Sequence, residues 1–176
     1  MNAKETIERW LAEEEAVRAR LDGRTGVSHP EEVEDRTGLE MLSAMLAGEL
    51  PRAPMSLTLD FLLIRIEPGF AVFQGRPRLE HYNPLGTVHG GWFATLLDSA
   101  MGCAVQSTLA AGKGYTTMEF KVNLVRPLTD AVEVVRAEGR SLHTGRQVAT
   151  AEARLVGPDG KLYAHGTTTC LVFDRR

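Results

Sequence analysis

The chain has 176 residues, 43% of them apolar and 24% charged, with a formal net charge of −3. That length suits one domain with a substantial core and room for a terminal extension. The acidic balance, with no cluster of Lys and Arg, argues against a nucleic-acid partner. No apolar run reaches the roughly 18 residues of a membrane span without interruption. The partner to expect is a small molecule or another copy of the chain.

Cys103 and Cys170 lie among apolar or small neighbours, without CxxC or Cys/His spacing. They read as core residues of a reducing compartment, and no metal site is expected. The opening MNAKETIERWLAEEE is too acidic and too broken by charge for a targeting segment, which makes the cytoplasm the expected location.

In chain order, residues 3–21 place Ile7, Trp10, Leu11, Val17 and Leu21 near helical spacing, with Glu14 and Arg18 as an i,i+4 pair. DGRTGVSHP breaks this helix, and a second is predicted over 31–47, ended by ELPRAP. From Met55 the period changes to two: Leu57, Leu59, Phe61 and Leu63 alternate with polar residues and predict a strand. Glu67-Pro68-Gly69 turns it into a hairpin with FAVFQG.

A helix is predicted from about 88 to 110. Its residues Trp92, Phe93, Leu96, Leu97, Met101, Val105 and Leu109 leave no polar face, so it must be wrapped by other structure. Four strand-like runs follow: TTMEFKVNLV, AVEVVRAEGRS, QVATAEARLV and KLYAHGTTTCLVF, the last three joined by the turns HTGR and GPDG. The class is α+β. Its economical form is the hotdog fold, one antiparallel sheet of about six strands around one long central helix. A helical extension is assigned to residues 1–52 and the hotdog domain to 53–176.

Within the central helix, Asp98 is the one ionisable side chain of an acid or base between Gly90 and Gly112, the weakly acidic Cys103 aside. Taken alone it reads equally as a buried structural acid. The glycines Gly90 and Gly91 at the helix start leave N–H groups without intrahelical partners at the positive end of the dipole, and allow a ligand to approach the backbone.

N-P-L-G-T-V-H-G-G at 83–91, the acid nine residues past His89, and TTMEFKVNLVRP resemble the hotdog thioesterases of the phenylacetate-pathway (PaaI-like) type in the 4-hydroxybenzoyl-CoA thioesterase superfamily. The resemblance covers roughly 55–173 and says little about the first fifty residues. It implies hydrolysis of acyl-CoA thioesters of aryl or medium-chain acids, with no cofactor beyond the coenzyme A of the substrate, in a homodimer that often pairs into a tetramer. Carried over, Gly90 would donate its N–H to the thioester oxygen, and Asn83 would hold the thioester or orient water. Asp98 would be nucleophile or general base, and Thr117 would sit near the attacking water. His89 reads more as an orienting or capping residue than as an acid–base group. Gly91, Arg126 and Arg146 are candidates for contacts to substrate or to coenzyme A phosphates.

Asp98 lies eight residues past Gly90, about 12 Å along one helix. A carboxylate at that distance cannot attack a carbonyl held by its own Gly90, so a catalytic site must draw the two from different subunits. A non-catalytic acyl-CoA-binding protein and a hotdog hydratase are the alternatives that the fold alone leaves open.

Overall fold

The computed structural model describes residues 2–21 and 24–175. Helices α1 (Ala3–Leu21), α2 (Pro30–Val33), α3 (Gly38–Ala47) and α4 (Met55–Thr58) precede a hairpin of β1 (Phe61–Glu67) and β2 (Phe70–Gly75). A short 3-10 turn, Leu79–His81, leads to α5 (Gly90–Gln106). Strands β3 (Lys113–Leu124), β4 (Val135–Thr144), β5 (Val148–Val156) and β6 (Leu162–Asp174) complete the chain. The six strands form one sheet in the order β1-β2-β4-β5-β6-β3, every pair antiparallel, with β1 and β3 at the edges. The sheet curls around α5, whose Leu96, Leu97, Ala100, Met101, Ala104 and Val105 are wholly enclosed. This is the hotdog arrangement, and it follows from a helix with no polar face to show to water.

Several elements differ from the sequence-based expectation. The helix predicted over 31–47 is two, α2 and α3. Thr37 starts a new helix, accepting the Glu40 N–H on its hydroxyl while the Glu40 carboxylate accepts the Thr37 N–H, a T-x-x-E capping box. The strand predicted from Met55 begins only at Phe61. Met55–Thr58 is a helical turn, and Asp60 reverses the chain at φ +46°, a left-handed conformation that Asp tolerates better than most residues. The central helix is shorter than the expected 88–110: His89 is its N-cap, and it ends at Gln106. The strand predicted from Ala131 starts at Val135, after a turn closed by the Val132 N–H on the Thr129 carbonyl.

The helices before the sheet are docked on it through two contacts of different kinds. On α1, Val17 and Leu21 pack on Leu62 and Ile64, which point away from the α5 side of β1. Beside them Glu14, only 1% exposed, binds Arg18 at 2.7 Å, Arg76 at 3.0 Å and the Gln74 amide at 2.7 Å. A buried carboxylate is tolerated only when so paired. Helix α3 reaches the other end of α5, where the Gly38 N–H donates to the Leu109 carbonyl at 2.9 Å. A Cβ at Gly38 would stand 1.7 Å from the Gln106 carbonyl oxygen, so no larger residue allows this approach.

Candidate active site

The loop before α5 is built by its own side chains. Asn83 Oδ1 accepts the Leu85 N–H at 2.8 Å, and its Nδ2 donates to Thr87 Oγ1 at 2.9 Å, an Asx-type closure. The Val88 N–H donates to the Leu128 carbonyl and the His89 N–H to the His81 carbonyl, which fixes the loop to its surroundings. His89 Nδ1 accepts the Gly91 N–H at 2.9 Å, so the imidazole is committed to capping and that glycine's donor is in use. The Gly90 N–H has no acceptor among the described residues. Such a donor at a helix start is suited to an anion or to a carbonyl oxygen gaining negative charge.

Gly90 opens into a cavity of about 270 Å³ that it shares with Asn83, Thr87, Phe93 and residues Leu124 to Pro127. Arg126 belongs to this lining, its Nε 3.4 Å from the Leu162 carbonyl. Arg146 is exposed in the β4–β5 turn and lines neither this cavity nor the one around Asp98.

Asp98 faces a different cavity, of about 240 Å³. The carboxylate is half-buried, and Thr117 on β3 donates to its Oδ1 at 3.1 Å. Burial raises its pKa above the ordinary carboxylate value, and the Thr117 hydrogen bond partly offsets that rise. Burial, with the charge of Asp98 adding, pushes the nearby Cys103 thiol up to about 12, so it stays protonated and inert near neutral pH. Tyr115, also on the wall, is likewise held neutral. Among the described residues, Asp98 is the one anionic base facing this space.

The candidate residues therefore fall into two groups at different points along α5: Asn83, Gly90 and Arg126 in one cavity, Asp98 with Thr117 at another. Sequence reasoning missed the wall of the Asp98 cavity supplied by Leu42, Met45 and Leu46 of α3 and by Arg52 to Ser56. The spacing of α3 marks an apolar face but not what the face covers. Arg52 sits between two prolines in ELPRAP with no local pattern pointing to a site. Among the described residues no group of three or more His, Cys, Asp or Glu is placed to hold a metal ion, and no helix is long and apolar enough to cross a membrane.

A long central helix wrapped by one curled antiparallel sheet defines the hotdog fold. The family model for the thioesterase superfamily matches residues 85–164. Acyl-coenzyme A thioesterase 13 of Mus musculus is 30% identical over 108 residues, which cover 61% of this chain and 76% of that protein. Among solved structures, a phenylacetic acid degradation-related protein of Ralstonia eutropha JMP134 is 29% identical with a TM-score of 0.67, over 73% of this chain and 97% of that one. A variant of the phenylacetic acid degradation protein PaaI from Thermus thermophilus is 29% identical with a TM-score of 0.60, over 67% of this chain and 97% of that one. The chain belongs to the thioesterase superfamily, and it is a hotdog-fold thioesterase.

Proposed function

We propose that the protein hydrolyses acyl-CoA thioesters with aryl-sized or medium-chain acyl groups, at sites that each combine Gly90 of one subunit with Asp98 of another. The observation that carries this reading is the setting of Asp98: a half-buried carboxylate of raised basicity, held by Thr117, on an otherwise largely apolar cavity. Its resemblance to acyl-coenzyme A thioesterase 13 points to the same substrate class. The cavity of about 240 Å³ exceeds the 150 Å³ or so known to accept benzene, and leaves room for an aryl group or a chain of comparable bulk.

In this mechanism the coenzyme A portion lies along the cavity of Asn83, Gly90 and Arg126, and the acyl group enters the partner's Asp98 cavity. Asp98 takes a proton from water as the water oxygen attacks the thioester carbon. The carbonyl oxygen becomes an oxyanion on the Gly90 N–H. The C–S bond then breaks, and the proton held by Asp98 passes to the leaving sulfur, giving the free acid and coenzyme A. Edge strand β3 supports the pairing of subunits: it is 12 residues long, unpaired on its outer side, and exposes Met118 and Phe120. Such an edge is normally covered.

The test is release of free coenzyme A from phenylacetyl-, hydroxybenzoyl- and straight-chain acyl-CoAs by the wild type and Asp98→Asn. Turnover that falls by about two orders of magnitude or more in the variant supports the assignment. Wild-type turnover that survives the substitution refutes the role of Asp98, and tight binding with no hydrolysis by either protein refutes the enzymatic reading.

A further inference from the structure

We infer that Arg52 selects, among acyl-CoA substrates, those whose acyl group ends in a carboxylate. This rests on the thioesterase reading above and adds to it a specificity residue from outside the segment that matches the family.

Of the sixteen residues around the Asp98 cavity, only Arg52 and Asp98 carry a charge near neutral pH. Arg52 is held in place by its backbone. Its carbonyl accepts the Gly26 N–H at 3.0 Å, its N–H donates to the Arg24 carbonyl at 3.3 Å, and Pro51 precedes it. Its side chain has no ion-pair partner among the described residues, and its Nε is buried without a hydrogen bond.

The reason lies in the neighbouring charges. The nearby carboxylate that could serve Arg52 is Asp60, which already pairs with Arg18 at 2.6 Å through Oδ1 and with Arg78 at 2.9 Å through Oδ2. The Arg78 contact is one of charge without a hydrogen bond, and Asp60 Oδ2, like Arg52 Nε, is buried without a hydrogen-bond partner, yet the two side chains form no ion pair. Burial and the charge of Arg18 both disfavour the Arg52 cation, and the charge of Asp60 favours it.

A cation with a buried, unbonded N–H on a largely apolar wall is costly, and an incoming carboxylate offsets that cost with charge-assisted hydrogen bonds. The planar guanidinium suits a carboxylate better than any other common acyl terminus. With the thioester at Asp98, such a terminus belongs at the other charged group. The substrate class is then the mono-CoA thioester of a dicarboxylic acid, and the reaction that supplies it is one that activates or shortens a dicarboxylic acid on coenzyme A.

The experiment compares adipyl-, ω-hydroxyhexanoyl- and hexanoyl-CoA on the wild type, Arg52→Met and Arg52→Lys, with thermal melting to establish that each variant is folded. In the wild type kcat/KM for adipyl-CoA should exceed that for hexanoyl-CoA by about tenfold or more, chiefly through KM. Arg52→Met should bring that ratio close to one, and Arg52→Lys should keep part of it. Equal use of adipyl- and hexanoyl-CoA by the wild type overturns the inference, as does a ratio unchanged in folded Arg52→Met. Equal use of adipyl- and ω-hydroxyhexanoyl-CoA overturns the requirement for a carboxylate. Equilibrium binding of the same three esters to Asp98→Asn, with and without Arg52→Met, makes the comparison without turnover. A loss of adipyl-CoA binding there supports the role of Arg52 even if hydrolysis fails, so the two failures are told apart.

Discussion

The Thr117 hydroxyl on β3 donates to Asp98 Oδ1 on α5 at 3.1 Å, a bond between elements that no local pattern links. Burial raises the carboxyl's pKa and this bond lowers it, so removing the hydroxyl lets the pKa rise further. A base must be ionised to act. Thr117→Val should therefore move the acid limb of log kcat/KM to higher pH while activity on the alkaline plateau falls less. An acid limb that stays in place would show that the bond does not act on Asp98.

Asp98 is also a cost to the fold. Its folded pKa lies above its unfolded one, the reverse of the usual carboxylate. Between those two values the folded state keeps a proton that the unfolded state has released, so stability falls as pH rises through that window. Above the window the whole cost is present; below the ordinary carboxylate pKa it is absent. Asp98→Asn should thus melt a few degrees above the wild type at pH 7, and the gap should close in acid. Asparagine can still accept from Thr117. A variant less stable than the wild type at neutral pH would mark Asp98 as structural.

The Gly90 N–H can be deleted with little strain. Gly90 is the first residue of its helix, where proline is tolerated, and His89 already has φ −64° and ψ 138°, the extended backbone that precedes proline. The nearest atom to an added Cβ is Leu124 Cδ1 at 3.0 Å, the end of a side chain that can give. Gly90→Pro should lower kcat by about a hundredfold to a thousandfold. Dimers formed randomly from equal amounts of Gly90→Pro and Asp98→Asn chains should regain about a quarter of wild-type activity: half are mixed, and each mixed dimer has one complete site of two. Mixed dimers as inactive as their parents would place Gly90 and Asp98 in the same site of one chain.

What was legible in the sequence follows the range of the forces involved. The central helix was visible because its burial removes polar residues from every turn, which made one carboxylate conspicuous. Thr37 and Glu40 carried a capping box that the apolar run of 31–47 concealed. Leu57 and Leu59 fit a strand in alternation, yet Met55–Thr58 is helical, because four residues are too few for either period to be distinguished. The ties of Asn83 to Thr87 and of His89 to Gly91 are local, and His89 before two glycines already suggested a cap. The role of Arg52 was not legible at all. It depends on Arg24, Gly26, Asp60, Arg18 and Arg78 meeting from distant parts of the chain.

The cavity wall formed by Leu42 to Ser56 has a bearing on descent. It lies entirely upstream of Asp60, whereas Gly90, Asp98 and Thr117 all lie downstream. One recombination event within the short stretch between α4 and β1 would transplant that wall as a cassette and leave the groups proposed for hydrolysis with the recipient. Such a gene could acquire a new diet in a single step, while the apparatus that cleaves the bond is inherited unaltered.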